Sequence, residues 1–454
     1  MVAESISSPI EGWRFVDALY GELLDNGIRY FFPDFRLEPV SRISSQEFEL
    51  SYDPTQPRLD LQWLGQKYAV SPLPRPLTIQ EIKLISSIGS VLSARYMALS
   101  NTTLAARAFQ LFRGLPEDRY VSSFLDPALY GSLESLTHNT DRIANAIEVL
   151  RIAASTTYEN RRIATGALLL GADNSAFGMS DIEERLPYTT SLTRAISFHR
   201  LCDGLQTLAL IDAKGRLTEL IDVQEWTKTH RDLDLPVPPV ARYEAHCRAT
   251  LERGCVCLLL SPAGEIKVFA NGAQVFNFLG GKWHLTDARR KYTLWTEAVG
   301  DLDLARRLFI AANNMAEERR GGLFLIVDDP ADANGLLCRE DLLSARSEAD
   351  DRERSPSHRD FHYLLRGKRI RDISPTVLES IARMDGAIVL DRKSSLLAFG
   401  AIVQHDRRSE SHVLVVEGGR TTAAITASQF GNVLKISEDG IMSFYRKGRC
   451  VWIM

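Results

Sequence analysis

Three stretches in the first half of the chain recur, in the same order and at nearly the same spacing, in the second half. Residues 158–173, YENRRIATGALLLGAD, answer to 316–329, AEERRGGLFLIVDD: a charged helix end with paired arginines, a glycine, then an apolar strand closing on an acid. Residues 192–217, LTRAISFHRLCDGLQTLALIDAKGRL, answer to 377–397, VLESIARMDGAIVLDRKSSLL, each a helix, an Asp-Gly corner, a strand and a polar hairpin turn. The third pair is 242–269 with 420–444, each an arginine, an alanine-rich helix, a strand, a serine-led turn ending in glycine and a second strand. The spacing agrees too, with 39 residues from Asp203 to Arg242 against 35 from Asp385 to Arg420. A repeat of this kind means one structural unit used twice. We place repeat one at 79–285 and repeat two at 286–454, each ending near a tryptophan, Trp283 and Trp452. Helices alternating with strands make each an α/β sandwich, a mixed β-sheet flanked by helices.

The rest of the 454 residues fits around that pair. Residues 1–78 mix aromatic, acidic and turn-forming residues, as in FFPDF and SYDPTQP, and read as a small α+β extension ending in the proline-rich linker SPLPRPLT. Thr78 and Glu81 have the spacing of a capping box, which starts a helix by satisfying its first amides. Helical spacing runs on to Arg113 and again from Leu133 to Thr157, and Arg161-Arg162 and Arg319-Arg320 sit where helices should end. Repeat two carries an insertion at about 330–373, whose centre, SARSEADDRERSPSHRD (344–359), has too few apolar residues to fold alone. Within and beside it, His358 and His362 read as a solvated loop pair.

Composition narrows the function classes. A net charge of −4 lacks the basic footprint of a nucleic-acid binder, so no nucleic acid is expected as a partner. The acidic N-terminus has no apolar core of a leader peptide, and no run of 18 apolar residues occurs, so the expectation is a cytoplasmic chain with no membrane partner. Six cysteines without C-x-x-C spacing argue against both a disulfide framework and a structural zinc site, and Cys255 and Cys257 read as a buried small apolar pair. Homo-oligomerisation is left open.

Three corners of repeat two carry residues suited to chemistry. Asp385 opens a strand; Gly418-Gly419-Arg420 precedes a helix, where glycines admit close backbone approach, free amides face an anion and the guanidinium offers a fork of donors. Ser437-Glu438-Asp439-Gly440 forms a turn. Should the corners converge, Asp385 and Glu438 could hold a divalent metal between them, the outline of a nucleotide site.

In this order the motifs resemble the diadenylate cyclase domain superfamily, closest to its predicted nucleotide-sensor branch. MDGAIVLDRKSSLLAFGAIV (384–403) is similar to that family's D-G-A strand and hairpin, GGRTTAA (418–424) to its G-T-R-H-R-A-A phosphate motif, and SEDGIMSF (437–444) to its S-E-x-T-G-x-I-S ending. ANNMAEERRGGLFLIV (312–327) is similar to its opening element. The resemblance implies tandem cyclase-like α/β domains and a nucleotide ligand, ATP or a cyclic dinucleotide such as cyclic di-AMP. It implies Asp385 as the metal-binding and, in an active enzyme, catalytic acid, with Gly386 and Ala387 at the nucleotide-facing corner. It also implies Gly418, Gly419, Arg420, Thr421 and Thr422 around phosphate, Ser437 and Glu438 at the closing turn, and Mg²⁺ or Mn²⁺ between Asp385 and Glu438. Thr421 and Thr422 stand where the family has histidine and arginine, so the triphosphate grip is weakened. The implied function is therefore a nucleotide or cyclic-dinucleotide sensor that signals to an effector protein; the alternative is an active diadenylate cyclase. Repeat one departs further, with Leu205 after Asp203-Gly204, Val240-Ala241 before Arg242, and Ser261-Pro262-Ala263-Gly264 without the acid, and reads as a degenerate partner.

Overall fold

The structure is a computed structural model, and it describes residues 9–55, 57–71, 73, 75–100, 109–158, 160–171, 185–195, 198, 200–252, 254–344, 361–404 and 418–454. Apart from Ser344, the charged centre of the insertion lies outside the described residues, as does His358. The chain divides into two compact units, Met1–Asp234 with Ala245–Asp287, and Leu235–Glu244 with Ala288–Met454.

The first unit opens with helix α1 (Pro9–Phe31) and an antiparallel sheet of β1 (Arg36–Arg42), β2 (Glu49–Asp53), β3 (Arg58–Trp63) and β4 (Gln66–Ser71), in the order β1-β4-β3-β2. Helices α2 (Ile79–Ser100), α3 (Pro116–Leu125), α4 (Leu133–His138) and α5 (Arg142–Ser155) follow, then a two-residue ladder of β5 (Thr157–Tyr158) and β6 (Arg161–Arg162). The main sheet comprises β7 (Thr165–Leu169), β8 (Thr207–Ile211), β9 (Leu217–Asp222), β10 (Val256–Leu260), β11 (Ile266–Ala270), β12 (Ala273–Leu279) and β13 (Lys282–Leu285), with the short helices α6 (Val223–Trp226) and α7 (Glu244–Ala249) between. Its order is β13-β12-β11-β10-β7-β8-β9, parallel at β7/β8 and antiparallel elsewhere.

In the second unit α8 (Ala288–Val299) and α9 (Leu302–Glu317) precede β14 (Gly322–Val327). The insertion contributes the short helices α10 (Ala333–Leu336) and α11 (His362–Leu365). Then come α12 (Pro375–Ala382), β15 (Ala387–Asp391), β16 (Leu396–Ala401), α13 (Gly419–Ala427), β17 (Gly431–Ile436), β18 (Met442–Arg446) and β19 (Arg449–Ile453). The sheet runs β16-β15-β14-β17-β18-β19, parallel at β14/β15 and antiparallel elsewhere. Matching β7 to β14 and counting outward, six strands of the first unit repeat this order and direction, and β13 is the one addition. The fold is mixed α/β, and the internal repeat is one topology used twice.

Local chemistry explains the elements. Every residue of β14 is buried, as a central strand covered on both faces requires. Helix α9 starts where the Asp301 carboxylate accepts from the Leu304 amide at 3.0 Å, and it buries Leu304, Leu308, Ala311, Ala312 and Met315 along one face. The expected capping box at α2 forms: the Thr78 amide donates to Glu81 at 2.8 Å and the Glu81 amide to the Thr78 hydroxyl at 3.2 Å.

Several boundaries differ from expectation. The N-terminal extension is part of the first unit, since Leu24, Ile28, Leu59 and Trp63 share one buried apolar cluster with Ile88, Leu150 and Leu258. The helix expected over 133–157 breaks at Asn139-Thr140, because Asp141 caps a new start by accepting from the Ala144 amide at 3.0 Å. Arg161 and Arg162 end no helix: α5 has stopped at Ser155, and the pair lies in β6. His362 is buried, 5.4 Å from Phe399 between ring centres, not solvated. Leu235–Glu244, from the middle of repeat one, belongs to the second unit. There the Asn313 amide nitrogen donates to the Pro238 carbonyl at 3.1 Å, and the Ala241 amide to Asn314 Oδ1 at 2.8 Å. Among the described residues no helix is long and apolar enough to cross a membrane.

Candidate functional site

The three corners singled out in repeat two are built by three different turns. Helix α12, capped by Ser374 with Pro375 at its first position, ends at Ala382, three residues before Asp385. The chain then turns through Gly386 at φ +114, and a Cβ there would stand 2.5 Å from the Gly400 carbonyl carbon, so only glycine fits. Ala387 follows as the buried first residue of β15, paired with Leu323 and Ala401. At the second corner Gly418 caps α13 without a side-chain hydrogen bond; the Thr421 amide donates to the Gly418 carbonyl at 2.8 Å, and the Gly419 and Arg420 amides meet no acceptor among the described residues. Its φ of −57 is ordinary, and a Cβ built on Gly418 or Gly419 meets nothing within 4 Å among the described residues. At the third corner a hairpin closes by Ser437 N–H to the Ile441 carbonyl at 2.9 Å and Gly440 N–H to the Ser437 carbonyl at 3.1 Å, with Glu438 at its tip.

These corners converge on one side chain. Arg420 donates from Nη1 to Glu438 Oε1 at 2.7 Å, and its Nη2 lies 3.5 Å from Asp385 Oδ1. The guanidinium lies over Gly321, where a Cβ would be 2.4 Å from Nη1, so the glycine between α9 and β14 makes room for it. Beside it Arg383 donates to Glu318 at 2.7 Å. The Asp385 and Glu438 side chains are 97% and 72% exposed. Ion pairs this open contribute little to stability, so the cluster is a surface feature aimed at solvent.

Other expected residues lie at its edge. Thr421 is buried and accepts from Lys435 Nζ at 2.7 Å; Thr422 follows it in the first turn of α13. The Ser437 hydroxyl turns inward onto Asp439 and the Ile441 carbonyl, so this serine shapes the turn. Its hydroxyl hydrogen bond holds the Asp439 carboxyl below the usual range. Sequence reasoning missed Lys435, Gly321 and the Arg383–Glu318 pair. One signal was present: a lysine between Leu434 and Ile436 in the strand GNVLKI.

The expected metal does not fit the pair as arranged. A guanidinium already links the Asp385 and Glu438 carboxylates, and among the described residues no group of three or more His, Cys, Asp or Glu is placed so that it could hold a metal ion. A divalent ion would compete with Arg420 for the same oxygens.

The first unit has no such cluster at the matching positions. Strand pairing sets Leu258 opposite Ala167 and Ala167 opposite Ala209, as Leu434, Phe324 and Ile388 are set in the second unit. Counting back from Ala209 and Ile388, the residue matching Asp385 is Gln206, and Asp203 lies three residues earlier. Asp203 serves its own turn, accepting from the amides of Leu205, Gln206 and Thr207. Burial raises its carboxyl, but these amides outweigh burial and hold it below its ordinary value. Arg242, in the second unit, lies 3.7 Å from Glu317, which also accepts from the Tyr243 hydroxyl. Ser261 closes a hairpin as Ser437 does, but Pro262 follows it.

No family model matches the chain, and no curated protein does. The likeness to solved structures is weak, as two of them show. One is a hypothetical membrane spanning protein from Bacillus cereus, at 16% identity and TM-score 0.26 over 35% of this chain and 69% of that one. The other is DacA from Staphylococcus aureus, a double mutant, at 20% identity and TM-score 0.20 over 33% of this chain and 84% of that one. Likenesses this weak leave function to the residues of the site.

Proposed function

We propose that the chain is a nucleotide-binding sensor, taking a nucleotide or cyclic dinucleotide at the corner cluster of the second unit and reporting occupancy to a separate effector protein in the cytoplasm. The observation that carries this reading is the meeting of Asp385, Arg420 and Glu438, three corners remote in sequence, on one exposed guanidinium. The start of α13 beside them supports it, because the Gly419 and Arg420 amides, which meet no acceptor among the described residues, and an arginine fork together suit a phosphate. So do Gly418 and Gly419, which neither φ nor crowding by the described residues demands. A divalent ion, Mg²⁺ or Mn²⁺, enters this reading only with the ligand's phosphates. The test is equilibrium binding of cyclic di-AMP and of ATP to the full chain. Arg420→Met should weaken binding, and a chain that binds neither nucleotide is no sensor of this kind.

One observation favours a second reading, an active diadenylate cyclase. Asp385 stands almost wholly in solvent beside the Gly386 corner, open to a ribose hydroxyl. In that case ATP with Mg²⁺ or Mn²⁺ yields a condensed product, and Asp385→Asn abolishes it.

A further inference from the structure

Resting on the reading above, we propose that Lys435 is a second phosphate-binding cation, acting with Arg420 across the first turn of α13, and that the site is built for singly charged phosphodiesters, not a nucleoside triphosphate. Lys435 lies in β17 between the buried Leu434 and Ile436, and its ammonium reaches the Thr421 hydroxyl at 2.7 Å, one residue beyond Arg420. Thr421 is itself buried, so the contact fixes the ammonium at the mouth of the helix. The matching residue of the first unit, two before the hairpin serine, is Leu259, which is fully buried. An apolar residue is the default for a central strand, and at this matched position the chain departs from it in the unit that carries the arginine cluster. Lys435 thus restores a cation next to the position where the resemblance implies histidine and this chain has Thr421.

Charge decides the class of ligand. Arg420 faces Asp385 and Glu438, and Lys435 lies close enough to the adjoining Asp439 to help hold its carboxyl charged. These carboxylates already engage the two cations, so a triphosphate, with several charges concentrated on one chain of phosphorus atoms, meets more repulsion here than a phosphodiester does. A phosphodiester brings one charge per phosphate and can pair with each cation singly.

The experiment is isothermal titration of the full chain with cyclic di-AMP and with ATP, with and without Mg²⁺, on the wild type, Lys435→Met, Lys435→Arg and Glu438→Gln. Thermal unfolding confirms that each variant folds. Loss of a charge-assisted contact predicts cyclic di-AMP binding weakened about tenfold or more in Lys435→Met and largely kept in Lys435→Arg. ATP should bind the wild type at least about tenfold more weakly than cyclic di-AMP, and Glu438→Gln should narrow that gap. Cyclic di-AMP binding indifferent to Lys435→Met, or ATP binding as tight as cyclic di-AMP, overturns this inference and leaves the sensor reading standing. Binding of neither overturns both.

Discussion

Replacing Arg420 with methionine separates function from stability at the candidate site. The Arg420 side chain is 38% exposed and its partners' side chains are 72% and 97% exposed, so the pairs lost are the kind worth about 0–1 kcal/mol. The unfolding free energy should therefore change by less than about 1 kcal/mol, since methionine keeps the aliphatic stem and gives up only the guanidinium that lies over Gly321. Ligand binding should respond much more strongly. A hydrogen bond to a charged phosphate is worth about 1.5–3 kcal/mol, which raises Kd about 10- to 150-fold. The upper end is expected, because Asp385 and Glu438 are left without their cation and repel the phosphate as well. Urea denaturation gives the first quantity and titration with cyclic di-AMP the second. A Kd unchanged within about twofold, together with a stability loss above about 3 kcal/mol, would show that the cluster is a structural clasp and refute the reasoning.

Other consequences concern the same site and its support. Gly321→Ala places a methyl 2.4 Å from Arg420 Nη1, and because that atom ends a flexible chain, the arginine should swing aside at little cost in stability; titration should show weakened nucleotide binding. In the first unit Asp141 accepts from Arg119 at 2.6 Å and from Ser122 at 2.6 Å, all three buried, and Asp141→Ala leaves Arg119 uncompensated, so urea denaturation should report a loss of about 3–5 kcal/mol. His246 is fully buried with Nε2 donating to the Gly204 carbonyl at 2.8 Å, and burial pushes the imidazole below its ordinary value of 6.5. The unfolded chain then takes up the proton first, so this contribution is complete above pH 6.5 and declines as pH falls below it. Denaturation series across that value should show the slope, and His246→Gln should flatten it.

The repeat was legible because order and spacing of helix, corner and strand follow from topology, and the two sheets do share one strand order. The site corners were legible for a similar reason: Gly386, Gly418 and the Ser437 turn are local devices with local signatures. Register was not. Asp203-Gly204 looks like Asp385-Gly386, yet the ladders set Gln206 in the matching place, since long-range pairing and not the dipeptide fixes position. The transfer of Leu235–Glu244 to the second unit was equally hidden, because its contacts are with Asn313, Asn314 and Glu317, some 75 residues away. Lys435 escaped notice because a lone lysine in a strand has no motif, and only the fold brings it to Thr421.

The most direct measurement is to incubate the purified chain with ATP and Mg²⁺ or Mn²⁺ and follow the nucleotides by mass spectrometry, beside an untreated sample denatured to release what it carries. The sensor account predicts ATP recovered unchanged and a phosphodiester nucleotide released from the untreated protein. Cyclic di-AMP or another condensed product accumulating with time, and lost in Asp385→Asn, would contradict it.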